Sequence, residues 1–485
     1  MKNTSYKLNM VLNAIKGLMG ILFPLISFPY VSRILGVENL GKFNFSSSII
    51  SYFVLAANLG ITPYAIRECA KARENRKKVD EFASDIFSIN SISSLFSIVA
   101  LVVTLLFVRK LNDYRTIIMI LAMQIPLNLI GIEWVFSAFE DYFYITIRSI
   151  FFQFLSLILL FVFVRSENSL IVYSIITVMS AAGVNILNWN YARKYVNIHL
   201  RISADLKKHM KPILLLFAMT VAGTIYSSTD MTILGFMCDD VAVGLYSVST
   251  KVYTVVKTVV SSIVVVSIPR LSAILGAKNK NEFSRTVKEI NSILMTFAIP
   301  AMLGLVLLRK DVILLIAGKE YMKAEISLLI LSVSLFFALG SYFWGQAVLI
   351  PLGKDKYVFE ITAIFAFVNF VLNIILIPVF QESAAAFTTL IAEMGSYFAY
   401  RYKARQYVKT TSEDSILKKI ALGCIWIVLC NRVLLFFLGD TFVYVCGTVV
   451  LSVIGYFLIE YCMKNNIVTD VVENLLKKVS FLKRE

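Results

Sequence analysis

Asp230, Lys251, Lys257 and Glu393 are ionisable residues set inside long apolar runs. A charge at the centre of a bilayer costs roughly 3 kcal/mol or more, so each is expected to face protein or water rather than lipid. Lysines so placed can hold an anion, and carboxylates can pair with them or carry a coupling cation. At about 1.5 Å per helical residue, Glu393 falls near mid-depth, Lys251 and Lys257 bracket mid-depth, and Asp230 falls in the outer third of its span. A buried ion pair, for instance Asp230 with Lys251, is the structural alternative. Arg33 in YVSRILG and Arg67 in ITPYAIREC stand at span ends. Each can hold an anionic group at a cavity mouth through a guanidinium fork, and Arg67 equally serves as a topology-setting charge. Tyr226 and Tyr342 lie deep enough to touch a polar solute.

Other residues have plainer readings. Lys16, Glu133, Arg148, Glu360 and Arg432 lie nearer span ends, where snorkelling to the interface suffices. Trp134, Trp189, Trp344 and Trp426 map toward the cytoplasmic ends of their helices, as an interfacial belt would. The six cysteines form no Cys-x-x-Cys, and His199 and His209 share one basic loop without ligating neighbours, so no metal site or disulfide framework is indicated. No Gly-x-x-x-x-Gly-Lys-Ser/Thr loop is present, which leaves the chain without an evident ATPase.

These residues need membrane helices to position them. The chain is 58% hydrophobic and 16% charged over 485 residues, which no water-soluble domain requires. Fourteen stretches long enough to cross a bilayer run from Val11–Tyr30 to Phe442–Cys462, and with no water to satisfy their backbones they are expected to be helices. Val11–Tyr30 reads as a retained first span rather than a cleaved signal. The formal net charge of +16 is dispersed in short clusters between apolar runs, the pattern of membrane topology rather than of nucleic-acid binding. With the N-terminus inside, the inner segments hold 32 Lys and Arg and the outer segments 10, so both termini are expected in the cytoplasm. The tail from Ile467 to Arg484 has an apolar face suited to lying on the inner leaflet.

An internal repeat organises the spans. Ile34-Leu35-Gly36 returns as Ile233-Leu234-Gly235, Gly41-x-Phe43 as Gly244-x-Tyr246, Trp134 as Trp344, and YARKYV (191–196) as KARQYV (403–408). Six spans per half make the repeats parallel, related by an axis along the membrane normal. The expected division is 1–211 with spans 1 to 6, 212–411 with spans 7 to 12, and 412–485 with an accessory helix pair and the tail.

The stretches FPYVSRILGVENLGKFNFSSSIISYFVLAANLGITPYAIRE and STDMTILGFMCDDVAVGLYSVSTKVY resemble the polysaccharide-transport branch of the multidrug/oligosaccharidyl-lipid/polysaccharide superfamily. The resemblance covers most of the chain through span 12. It implies a MATE-like, all-α membrane protein with two six-helix lobes around a hydrophilic cavity. It also implies a flippase for undecaprenyl-diphosphate-linked O-antigen or capsule repeat units, working by alternating access. On that reading Lys251, Lys257 and Arg33 meet the anionic head, and Asp230 or Glu393 serves pairing or coupling to a proton or sodium gradient. No cofactor is implied; the expected partners are the lipid-linked oligosaccharide, membrane lipids, and the polysaccharide polymerase with its chain-length machinery. Two alternatives stand beside it. One is a cation-coupled multidrug exporter; the other is a membrane-embedded polymerase or glycosyltransferase, for which the longest outer segment, Arg309–Glu325, is short.

Overall fold

The computed structural model describes residues 6–201, 206–277, 279–408, 414–438, 441–465 and 468–469. Apart from 468–469 the expected amphipathic tail lies outside them, as does the side chain of Tyr226. The described residues are nearly all helical, with no strand among them. Among the described residues eleven helices are long and apolar enough to cross a membrane, or twelve with Leu206–Met237, which bends by 52° between Ile225 and Ser228. The protein is therefore a multi-pass membrane protein. It forms two compact units, Met1–Ser247 and Val248–Glu485.

Unit 1 opens with α1 (Tyr6–Asn58), whose 53 residues are interrupted at Gly36 with φ 74° and ψ 170°. At about 1.5 Å per residue so long a helix would far exceed the hydrocarbon thickness, so the glycine marks where the chain turns back. Gly is required there because other residues rarely take positive φ. α2 (Ile61–Ala72) and α3 (Arg76–Phe107) follow, the latter capped by the Asn75 side chain accepting from the Lys78 N–H. The next span is broken into α4 (Arg115–Ala122), α5 (Gln124–Gly131) and α6 (Glu133–Ala138), with Ile132 left-handed at the second break. Then come α7 (Tyr142–Phe163), α8 (Leu170–Val178), a π turn at Met179–Gly183, α9 (Asn185–Ala192) and α10 (Leu206–Met237).

Between α9 and α10 the chain runs extended along α3. The N–H groups of Asn197, His199 and Arg201 donate to Asp80 Oδ1, Ser84 Oγ and Ser88 Oγ at 2.8, 3.2 and 2.8 Å. Two extended residues advance about 6.6 Å and four helical residues about 6.0 Å, so every second N–H meets every fourth side chain. A buried cluster including Val79, Ile86, Trp134, Phe136 and Ile213 lies beneath this strap.

At the other end of unit 1 the repeat packs on itself. A Cβ on Gly41 would sit 1.8 Å from the Asp240 carbonyl oxygen, and a Cβ on Gly244 would sit 2.1 Å from that of Val37. Gly244 follows Gly41 by 203 positions and Asp240 follows Val37 by the same 203, so the two contacts are one contact and its two-fold mate. Below them the hydroxyls of Ser48, Ser51 and Tyr52 meet those of Ser228 and Thr232 at 3.0 to 3.2 Å, joining α1 to α10.

α11 (Asp240–Gly276) gives its first turns to unit 1 and the rest to unit 2. Unit 2 continues with α12 (Lys280–Ile316), α13 (Glu325–Tyr342), a π turn at Phe343–Leu349, and α14 (Asp355–Ala404), which is interrupted at Gln381 with φ 49°. α15 (Asp414–Phe437) and α16 (Thr441–Cys462) pack against each other and against α12, where the Tyr456 hydroxyl donates to the Thr296 carbonyl at 2.9 Å.

Candidate functional site

In unit 2 the chemistry centres on Lys257 and Glu393. α11 and α14 bring them together although 136 positions separate them, with Nζ to Oε1 at 3.0 Å. The Glu393 side chain is 7% exposed and that of Lys257 30%, so the carboxylate is the more deeply buried partner of the pair. The Tyr253 ring lies 5.4 Å from the same ammonium and adds a cation–π contact. Lys251 lies half-buried on α11, about 9 Å along the helix from Lys257. Tyr342 is half-buried as the last residue of α13, immediately before the π turn.

Unit 1 holds the other candidates. Asp230 is buried and accepts from the Tyr246 hydroxyl at 2.7 Å. Arg33 is exposed, three residues before the Gly36 turn. Arg67 is exposed as well, with Nε 2.9 Å from Glu68 Oε1 and its guanidinium 5.8 Å from the Tyr64 ring. The structure thus joins Lys257 to Glu393 and gives Asp230 a phenol, while Arg33 stands just before the Gly36 break of α1 and Arg67 in the middle of the short helix α2 rather than at a span end.

Sequence reasoning missed a second charged cluster in unit 1. Glu133 is held by Lys16 at 2.8 Å and by Arg148 at 2.9 Å. Arg148 is 5% exposed, which rules out snorkelling, and its guanidinium lies over Phe136 and Tyr144. Tyr144 stacks on Tyr191 with ring centroids 3.7 Å apart, and the hydroxyls of Tyr191 and Tyr195 both donate to Asp141 Oδ2 at 2.8 Å. Burial, and next the bond to Asp141, push the Tyr195 phenol above its ordinary value, which keeps it a donor. The signal was present, charge inside apolar runs, but only the three-dimensional partners separate a clamp from an interfacial charge. Two tryptophans also depart from the expected belt: Trp134 and Trp344, repeat equivalents, are 5% and 2% exposed. They fill helix-packing space instead.

An apolar cavity of about 360 Å³ lies inside unit 2 among α11, α12, α15 and α16. Phe297, Leu305, Ile427, Val449 and Phe457 supply most of its wall. Its lining suits hydrocarbon and offers a sugar almost nothing to bind.

The sequence profile described as polysaccharide biosynthesis protein matches residues 8–275. The chain belongs to that family. Within it, the chain is 25% identical over 402 residues to a putative O-antigen transporter of Escherichia coli K12, covering 80% of this chain and 94% of that one. It is 23% identical over 372 residues to the capsular polysaccharide biosynthesis protein CapF of Staphylococcus aureus, covering 75% and 90%. In fold, this family member is similar to the lipid II flippase MurJ in an inward closed conformation, with TM-score 0.78 and 14% identity over 95% of this chain and 99% of that one. It is also similar to an inward-facing multidrug resistance MATE transporter of the MOP superfamily, with TM-score 0.60 and 14% identity over 83% and 100%. The matched profile spans both copies of the repeat glycines, Gly41 and Gly244, and contains Lys251 and Lys257.

Proposed function

We propose that this protein is a flippase. It carries undecaprenyl-diphosphate-linked oligosaccharide, the precursor of O-antigen or capsule, across the bacterial cytoplasmic membrane by alternating access. The observation that carries this reading is the Lys257–Glu393 pair in a chain whose relatives are named for O-antigen transport and capsule biosynthesis. A buried carboxylate fixes a lysine ammonium inside a membrane bundle, and an ammonium so placed is suited to a diphosphate or an acidic sugar. Arg33, Arg67, Lys251, Tyr226 and Tyr342 are the further candidates for contact with the substrate, with Asp230 and Glu393 as the groups for pairing or for coupling to a proton or sodium gradient. The apolar cavity of unit 2 suits part of a polyprenyl chain, which need never leave hydrocarbon.

The same reading gives fourteen crossings, because Gly36 and Gln381 each divide one long helix into two. It gives lobes 1–211 and 212–411 related by the two-fold contact of Gly41 and Gly244, with 412–485 accessory. Both termini then lie in the cytoplasm, and the glycine contact lies toward the outer side. A polysaccharide polymerase and its chain-length machinery would receive the delivered units.

Deleting the gene in its host tests this. Lipid-linked repeat units should accumulate on the inner leaflet and surface polysaccharide should vanish, both restored by the gene in trans. Unchanged polysaccharide together with new sensitivity to cationic drugs would overturn the reading in favour of an exporter. Outward-facing units that remain unpolymerised would favour a polymerase.

A further inference from the structure

The flippase reading leaves the Lys16, Glu133 and Arg148 cluster of unit 1 without a task. Its three members are unequally placed. The Arg148 guanidinium is buried, and its Nε and Nη1 have no hydrogen-bond partner. The side chains of Lys16 and Glu133 are 36% and 41% exposed. A buried fork with donors to spare, closed by an acid that reaches solvent, has the form of an oxyanion site filled by the chain's own carboxylate. The backbone is shaped to supply that carboxylate. Ile132, with φ 35° and ψ 37°, is a β-branched residue in the left-handed region, and the helix break it makes is what presents Glu133 as the first residue of α6. Arg148 lies six residues after the first residue of α7, about 9 Å along the helix. That is the end which the charge bias assigns to the cytoplasm.

We propose that Lys16 and Arg148 form a loading site for the diphosphate of an isoprenoid-linked substrate, and that Glu133 is a built-in competitor which the diphosphate displaces. The inference rests on the flippase reading. With substrate absent, Glu133 neutralises the buried guanidinium. With substrate bound, the diphosphate does so, and Glu133 turns to the solvent it already touches. Neither state leaves a charge buried alone, and the returning carboxylate releases the head for the rest of its passage.

Farnesyl diphosphate titrated into the full-length protein in lipid nanodiscs tests the proposal, read by tryptophan fluorescence and by the melting temperature. Glu133→Gln should bind the probe about tenfold more tightly than the wild type. Its ligand-free melting temperature should fall, and the probe should raise it by more than it raises that of the wild type. Lys16→Gln and Arg148→Lys should each weaken binding about tenfold or more. Equal or weaker binding by Glu133→Gln overturns the proposal and leaves the cluster a structural ion pair. Should that variant fail to fold, Glu133→Asp, which draws the carboxylate back by one methylene, should bind more tightly by a smaller factor; equal or weaker binding there overturns it as well. If Lys257→Gln alone abolishes binding while the Lys16 and Arg148 variants bind normally, the inference fails and the flippase reading stands. A wild type that binds no isoprenoid diphosphate contradicts both.

Discussion

The two units each hold a charge pair inside membrane-spanning helices, with opposite members hidden. In unit 2 the acid is buried, Glu393 at 7% against 30% for Lys257. In unit 1 the cation is buried, Arg148 at 4% against 41% for Glu133. The exposed partner is what a visiting molecule meets, so unit 2 presents a cation directly and unit 1 presents an acid with a cation behind it. The same inversion recurs at Asp141 and Lys354, the N-cap residues of α7 and α14. Asp141 accepts from Tyr195 in the first half, whereas Lys354 stands 5.0 Å from the Tyr407 ring in the second. Across the repeat Tyr195 is kept as Tyr407 while Tyr191 becomes Lys403, so the electrostatics of the halves diverge.

Four substitutions sharpen or break this contrast. Lys257→Met should cost most, about 3–5 kcal/mol, because it strands the more deeply buried carboxylate, whereas Glu393→Gln leaves the less buried lysine and should cost about 1–2 kcal/mol. Thermal denaturation of the purified proteins measures both, and equal losses would mean that the pair is not asymmetric. Asp141→Ala removes the acceptor of two phenols and the cap on the Tyr144 N–H, and should cost about 2–3 kcal/mol. Its N-cap counterpart, Lys354→Ala, should cost below about 1 kcal/mol, since an exposed cation–π contact is weak. Similar losses at these two positions would show that the halves are electrostatically alike after all.

Much of this was legible in the sequence. Hydropathy gave the helical membrane class, and Gly41 and Gly244 were legible as members of the repeat, though their close contacts with Asp240 and Val37 appear only in the structure. Both follow from local rules: an apolar run must be helical in lipid, and a repeat is read directly from its recurring residues. The partners of the charges were not legible. Lys257 and Glu393 lie 136 positions apart, and nothing local distinguishes Glu133, clamped between two cations, from Glu360, in a helix-surface pair with Lys356. The breaks at Ile132 and Gln381 were hidden for a related reason. Neither residue favours positive φ, so tertiary packing holds them there against local preference. The strap over α3 was hidden as well, because its Asn197, His199 and Arg201 contribute N–H groups rather than side chains.

Translocation in reconstituted vesicles addresses the central claim most directly. Fluorescent undecaprenyl-diphosphate-linked oligosaccharide is placed in one leaflet, and its arrival in the other is followed with a sugar-modifying enzyme that cannot cross. The wild type should equilibrate the leaflets, and Lys257→Gln, folded by its melting curve, should do so at least about tenfold more slowly. Transfer no faster than in empty vesicles, or Lys257→Gln matching the wild type, would contradict the account.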